Sequence, residues 1–487
     1  MSEILVGLVI TPLISAFLLS LTAVSHRVPH AVMMRIRNTL SVAALTALVI
    51  QLLVLAPTVL SGQVLTYTLG GWTPFMGIAL RMDALSFMVA AVSVTVSFLG
   101  MIYSFSYMEH IRGLGKYDAF YFLMVTGIMG VLLTRDIFNM YVFFEILSIS
   151  VYILITTGEK KENYRASLKY LILGSVSSAF FLFAVGITYA VTGSLNMDYI
   201  AQAVPAIMEK DPFPVYMIFS LILVSMGVKS GLVPLHFWLP DAHSMAPSPI
   251  SALLSGIVLK ISIYGLLRLS FLFGDSFLAS DSILMVLGVA TVVVGSVLAL
   301  VQKDLKRMLA YSSISQVGLI MTGLGIGTEL AIQGALFHVV NHALMKSGLF
   351  LCAGVIIHQS RSREISRLSG VSPGMALCFV ILSLGIVGVP PLNGFSSKLV
   401  ILYGAVDAHY SSIAGIIVMA SVLSCGYYFR VVQSILTPKK WKRAHHPVVP
   451  RTMSFPVYFL TALCVILGVF PLLGLSVAEL AVLMGGG

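Results

Sequence analysis

Charge is what this chain has least of. Of its 487 residues only 10% are Asp, Glu, Lys or Arg, against 58% hydrophobic residues and a mean hydropathy of +0.99. A soluble domain carries about 25% charged residues, so a water-exposed globular protein is excluded and a polytopic membrane protein is indicated. Cysteine is scarce too. Cys352, Cys378, Cys425 and Cys464 all fall in apolar runs without CxxC spacing, which argues for core thiols and against disulfides or metal ligands. No Walker loop, dinucleotide fingerprint or iron–sulfur cysteine cluster occurs. No cofactor and no metal are therefore expected, and any redox or nucleotide chemistry belongs to another subunit. The net charge of +10 does not signal nucleic acid, because the basic residues are scattered through short loops and form no basic domain. Nor is the segment from Met1 to Ser25 a cleavable signal. Its start is acidic at Glu3 and its basic residues follow the apolar run, so it reads as a first spanning helix.

What is present is one apolar run after another. At about 20 residues per span, fourteen qualify: 4–25, 38–60, 84–106, 118–134, 136–157, 166–191, 214–239, 248–273, 281–301, 308–325, 328–357, 372–405, 411–436 and 453–482. The seventh and twelfth are broken by proline. The fold expected is all-α, with about fourteen transmembrane helices. The stretch from Gly62 to Arg81 is too short and too glycine-interrupted to span; it reads as a hairpin or interfacial loop.

The basic residues test this count. Loops after odd-numbered runs hold Arg27, Arg35, Arg37, Arg112, Lys116, Lys160, Lys161, Arg165, Lys169, Lys303, Lys306, Arg307, Arg361, Arg363, Arg367, Lys439, Lys440, Lys442, Arg443 and Arg451. Loops after even-numbered runs hold only Arg81, Arg135, Lys210 and Arg268. The basic side is cytoplasmic, which puts both termini outside the cell membrane. Lys229, Lys260, Lys346, Lys398 and Arg430 remain, all inside runs. Runs four to eight and nine to thirteen form two five-helix blocks. Five crossings is an odd number, so the second block is inverted relative to the first. Each block has its broken helix in fourth place, with Pro234 in one and Pro390 and Pro391 in the other. Paired interruptions in inverted repeats point to a transport site. The expected divisions are 1–117, three helices with an extracytoplasmic loop; 118–273, a first half-channel; 274–436, an inverted second half-channel; and 437–487, a basic loop and last helix.

Charge inside a span costs a few kcal/mol, roughly 2.5–3.5 on insertion scales, so each such residue needs a purpose. Glu145 lies mid-run among Phe, Ile and Leu, and needs either a proton or a cation. Lys229 is its expected partner, as a functional pair or a structural one. Lys260 has no acid in its own run. Burial without a partner favours the neutral amine, which suits a relay; snorkelling is the competing explanation, but Lys260 is more than ten residues from either end. His338, His342 and Lys346 recur every four residues and so share a helix face, about 6 Å apart in successive steps. Neutral imidazole both donates and accepts, so the row suits a proton wire. Two histidines without a carboxylate or cysteine make a poor zinc site. Within that row His338 is expected to matter more than Lys346, which lies nearer the next polar stretch, where water can replace it. Lys398 follows the second break, where proline and glycine free backbone carbonyls. Asp241 and His243 either gate proton intake, with Lys346, or serve as an N-cap and a solvated loop residue. Lys303, Asp304, Lys306 and Arg307 read as a topology anchor.

Three stretches, PLHFWLPDAHSMAPSPISALLSGIVLKISIYGLLR, QKDLKRMLAYSSISQVG and GVPPLNGFSSK, resemble the antiporter-like subunits shared by respiratory complex I, membrane-bound hydrogenases and Mrp sodium/proton antiporters. The likeness covers about residues 80–436. It implies fourteen helices with two inverted half-channels. It carries the family's ionisable residues onto Glu145, Lys229, Lys260, His338, His342 and Lys398, where the last position is Glu in some relatives. The chain stops after run fourteen, without the lateral helix of the largest complex I member, and looks closer to the D-type Mrp subunit. The resemblance implies proton translocation, with sodium exchange left open, among other membrane subunits of an antiporter or redox complex. A purely structural membrane anchor would need no mid-membrane ionisable groups. A solute transporter would need a polar substrate pocket that these runs do not offer.

Overall fold

The computed structural model describes residues 2–24, 30–109, 114–274, 281–437 and 448–485. Arg27, Arg112, Lys439, Lys440, Lys442 and Arg443 lie outside the described residues. Thirteen described helices are long and apolar enough to cross a membrane. Three precede the repeats: α1 (Ile4–Val24), α2 (His30–Leu60) and α3 (Ala84–Tyr107). Between α2 and α3, β1 (Leu65–Thr68) pairs antiparallel with β2 (Ala79–Met82), so the glycine-interrupted stretch is a hairpin.

The first block comprises α4 (Leu114–Leu133), α5 (Ile137–Thr156), α6 (Lys161–Thr192), a short surface helix α7 (Met197–Lys210), then α8 (Phe213–Ser230), α9 (Leu239–Met245) and a last crossing. That crossing starts as α10 (Ser248–Leu253), widens into a π-helical turn at Leu254–Val258 and continues as α11 (Leu259–Ser270). The second block comprises α12 (Asp281–Leu300), α13 (Leu305–Ile326), α14 (Glu329–Ser360), α15 (Pro373–Val387), α16 (Asn393–Asp407) and α17 (Ser411–Leu436). The chain closes with α18 (Arg451–Val469) and α19 (Leu472–Gly485).

Both breaks are built alike. Gly231 (φ 77°) ends α8 and Gly388 (φ 91°) ends α15, a left-handed conformation that a side chain would oppose. Each glycine stands three residues before a proline, Pro234 or Pro391, which cannot continue a helix. Together α15 and α16 make one more crossing, the twelfth in chain order, which brings the described crossings to fourteen. The inverted repeat is visible in two matching links, one within each block. Backbone bridges join Asp136 to Asn196 and Asp304 to Glu364. In each pair the partners are 60 residues apart (196 − 136 and 364 − 304). The two aspartates cap α5 and α13, accepting from Asn139 N–H at 2.7 Å and Arg307 N–H at 2.9 Å. Five crossings separate the two bridges, so they lie on opposite faces.

Three sequence expectations change. Run fourteen is not continuous: it breaks at Phe470–Pro471, and α19 then packs on α3 and α14. Arg37 and Arg268 are not loop residues. Arg37 sits inside α2, 2% exposed and ion-paired with Asp118 of α4; Arg268 sits inside α11, 4% exposed and paired with Asp83. Asp83 also N-caps α3 by accepting from Ser86 N–H at 3.0 Å. Burial opposes the charge on its carboxyl, but Arg268, the Ser86 N–H and Arg81 together hold it below the usual range. Helix packing uses small residues, as expected where lipid removes the hydrophobic drive. Where α12 crosses α13, a Cβ on Gly295 would lie 2.5 Å from the Ser315 backbone nitrogen.

Candidate ion-translocation axis

Glu145 stands eight residues into α5, about 12 Å along the helix at 1.5 Å per residue. Lys229 is the penultimate residue of α8, placed there because Gly231 stops the helix. Their charges meet at 3.8 Å, with side chains 30% and 5% exposed. The contact is not made by the pair alone. Ser178 of α6 donates to the Glu145 carboxylate and accepts from Lys229 Nζ at 3.3 Å, while Ser148 accepts from the same ammonium at 3.2 Å. Lys229 also lies 5.5 Å from the centre of the Phe144 ring, a favourable cation–π distance. A buried ammonium needs such partners for its three N–H donors.

Lys260 is 1% exposed, which disposes of the snorkelling alternative. Its ammonium donates to the Ser255 carbonyl in the π-helical turn, a distortion that loosens the regular i→i−4 bonding. Ser255 Oγ in turn meets Ser313 Oγ at 2.7 Å, linking the first block to α13. Lys346, fully buried on α14, donates to the Leu309 carbonyl at 3.1 Å and to Tyr428 OH at 3.0 Å. The sequence placed Lys346 where water can replace it; the structure gives it fixed partners and no exposure. His338 and His342 stack with ring centres 5.9 Å apart and 2° between planes. One His338 nitrogen meets Ser397 Oγ at 2.8 Å and the other Gln316 Oε1 at 3.1 Å. Among the described residues His342 has no hydrogen-bond partner on either nitrogen. Lys398 reaches back across the second break, donating to the Ile386 carbonyl at 2.7 Å, to Val387 at 3.2 Å and to Ser421 Oγ at 3.1 Å. Those are the carbonyls that the end of α15 leaves without helical partners.

The structure thus gathers Lys260, His338, Lys346 and Lys398 around His342, each within electrostatic reach of that imidazole. Glu145 and Lys229 form a separate pair, with no hydrogen bond or ion pair to Lys260 among the described residues. Asp241 is not an N-cap, because Trp238 holds that position of α9. It bridges Lys169 at 2.7 Å and Arg307 at 2.8 Å. His243 is not a solvated loop residue either: it is fully buried, stacked 5.5 Å from Phe350. Lys306 is 4% exposed, its ammonium on the Ala246 carbonyl, so it is more than a topology anchor. Sequence reasoning missed Ser148, Ser178, Gln316, Ser397 and Tyr428. Serine inside a membrane helix ordinarily bonds its own i−4 carbonyl, and only the fold shows which hydroxyls turn outward. Among the described residues no three His, Cys, Asp or Glu side chains converge to hold a metal.

A family profile described as NADH:quinone oxidoreductase/Mrp antiporter, TM, matches residues 134–424, the stretch that holds this whole axis. The chain belongs to that family. A second profile, the N-terminus of complex I chain 5, matches residues 75–118. Family relatives lie on both branches. The N subunit of the NADH-quinone oxidoreductase of Desulforudis audaxviator is 36% identical over 89% of this chain and 90% of its own. The D subunit of the Na(+)/H(+) antiporter of Alkalihalophilus pseudofirmus is 30% identical over 95% of this chain and 94% of its own. Among solved structures, a chain of the archaeal membrane-bound sulfane sulfur reductase superposes with a TM-score of 0.88 at 30% identity, covering 99% of this chain and 97% of that one. A chain of the Mrp complex from Dietzia shares the fold, with a TM-score of 0.89 at 23% identity over 99% of this chain and 96% of that one. The protein is an antiporter-like, polytopic membrane subunit of this family.

Proposed function

We propose that this subunit carries protons across the membrane along Glu145, Lys229, Lys260, His342, His338 and Lys398, as one of several membrane subunits in a larger complex. Residues 118–273 and 274–436 act as two half-channels in this reading, meeting at Lys260. The observation that carries it is the Glu145–Ser178–Lys229 contact. A carboxylate and an ammonium share one hydroxyl at mid-helix depth, an arrangement that can be made and broken without leaving either charge bare. Opening the pair frees the Lys229 charge, which then favours release of the Lys260 proton by repulsion. The stacked histidines pass a proton onward by donating on one nitrogen while accepting on the other, and Lys398 delivers it beyond the second break. The excess of basic residues in loops after odd-numbered crossings supports a cell membrane location with both termini outward.

The test is proton transport by the assembled complex in vesicles. Glu145→Ala should lower it at least tenfold with assembly unchanged, and Glu145→Asp should retain part of it. Wild-type transport by an assembled Glu145→Ala complex would sink the reading. A second reading concerns the driving force. The NADH-quinone oxidoreductase relative and the archaeal respiratory complex favour a redox-driven pump module, whereas the Na(+)/H(+) antiporter relative favours a gradient-driven sodium/proton antiporter. Transport that stops when electron flow through the purified complex is blocked would select the redox module.

A further inference from the structure

Lys260 begins a second polar row, which the steps above leave unused. Tyr264 and Arg268 follow it on α11 at intervals of four residues, so the three share one side of the helix and span about 12 Å at 1.5 Å per residue. The row leads away from the basic loops. Tyr264 is 5% exposed; its hydroxyl donates to the Leu132 carbonyl at 2.7 Å and accepts from Arg268 Nε at 3.0 Å. Arg268 also pairs with Asp83. Beyond Asp83 the charges run on to the surface. Arg81 lies 3.8 Å from Asp83 and 3.6 Å from Asp198, and Arg135 lies 2.7 Å from Asp198, whose side chain is 47% exposed. A proton on Lys260 therefore has a short polar row, within the first block, to the face opposite the basic loops. The axis proposed above sends it the long way, through the histidines of the second block. Something must close the short way.

The charged cluster is suited to do so. Arg81 is within electrostatic reach of Arg135, Arg268, Asp83 and Asp198, which makes three guanidinium groups against two carboxylates. Asp136, next to Arg135, turns aside to cap α5 and makes no ion pair among the described residues. Arg268 is the innermost cation, 4% exposed, and its Nη1 has no hydrogen-bond partner among the described residues. A guanidinium does not release its proton at accessible pH, and a fixed cation in a narrow polar passage repels protons. Backbone bonds tie the same end together: Arg135 N–H donates to the Ala79 carbonyl of the hairpin, and Met197 N–H to the Arg135 carbonyl, each at 2.9 Å.

We propose that Arg268, with the excess positive charge around it, is an electrostatic barrier that shuts the first block to protons on the face opposite the basic loops, so that a proton on Lys260 leaves only through the second block. The proposal rests on the proton-carrying function above. Arg268 binds and releases no proton in this role. It acts by its charge, and Tyr264 and Asp83 hold that charge across the row.

The experiment reads passive proton leak. Vesicles holding the assembled complex, with no driving reaction, receive an acid pulse; an entrapped pH dye follows the decay of the imposed gradient, and native gels report assembly. Arg268→Gln removes the innermost cation but leaves Asp83 its Arg81 partner, and should speed the leak at least fivefold. Arg268→Lys restores a cation and should stay within twofold of the wild-type rate. Asp198→Asn separates a charge barrier from a packed plug. It breaks the ion pairs to Arg81 and Arg135 yet raises the excess positive charge, so the leak should not rise. A wild-type leak rate in Arg268→Gln overturns the proposal. So does an equal leak in Arg268→Lys or in Asp198→Asn, because lost packing would then explain the result. If Arg268→Gln does not assemble, Arg135→Gln lowers the same charge without touching α11; its leak should at least double, and an unchanged rate overturns the barrier. Glu145→Ala separates the two ideas. If it carries driven transport normally, the axis itself fails. If it blocks driven transport while Arg268→Gln stays tight, only the barrier fails.

Discussion

The Glu145–Lys229 pair makes a quantitative demand on the folded protein. At 3.8 Å two unit charges attract by about 4 kcal/mol at an effective dielectric near 20. Glu145 is 30% exposed, so part of that attraction is screened, and about 2–3 kcal/mol of coupling remains. Glu145→Gln leaves the Lys229 ammonium with Ser148, Ser178 and the Phe144 ring but no counter-charge, and Lys229→Met leaves the carboxylate with the Ser178 hydroxyl and no cation among the described residues. Each single change should destabilise the protein, because it strands a charge. The double variant strands none and should be more stable than the sum of the singles implies. In a double-mutant cycle on reversible unfolding in mixed micelles, the interaction energy should be about 2–3 kcal/mol, a factor of roughly 30 to 150 in the unfolding equilibrium. Single effects that add to within about 0.5 kcal/mol would show that the two charges do not sense each other, and the first half-channel would lose its trigger.

The fixed partners of Lys346 reverse the ranking expected from sequence. Lys346→Ala should impair transport at least as much as His338→Ala, and should cost about 1–3 kcal/mol through its two lost hydrogen bonds and the space its buried side chain leaves; thermal unfolding and dye-reported transport of the two variants check both parts. Gly295→Val should lose about 3 kcal/mol or more, because the new Cβ meets backbone of α13 rather than a movable side chain. The yield of folded protein from membranes reads that loss, and a wild-type yield would mean that α12 can slide away.

Much of this architecture can be read from hydropathy alone, for a physical reason. A chain that must satisfy every backbone group inside lipid has helices as nearly its only option, so span count follows from run length, and the broken spans follow from Gly231 with Pro234 and Gly388 with Pro391. The errors fall where charge is paired in the fold. Arg37 and Arg268 look like loop residues because a lone arginine does not belong in a span. Asp118 and Asp83, distant in sequence, make them tolerable there. Amphipathic α7 was invisible to a search for uniformly apolar runs. In the axis, the lysines, histidines and Glu145 stand out against an apolar background, whereas the serines that connect them do not. Nothing in the string LGSVSSAF says that Ser178, rather than Ser175 or Ser177, sits between Glu145 and Lys229. The sequence left His243 open between a proton gate and a solvated loop residue and read Lys306 as a topology anchor, because both neighbour charged loop residues in the chain, while the fold turns them inward.

Lys260 offers the most direct test of the central claim, that buried lysines here exchange protons rather than merely hold charge. The side chain is 1% exposed and, among the described residues, its ammonium has a backbone carbonyl and no carboxylate as its hydrogen-bond partner. Lys260→Arg keeps a positive charge at that place but cannot deprotonate at accessible pH. Measured as proton transport in vesicles, with assembly verified independently, Lys260→Arg should be nearly as inactive as Lys260→Ala. Transport near the wild-type rate would mean that Lys260 only holds charge, and that protons cross this subunit by another group.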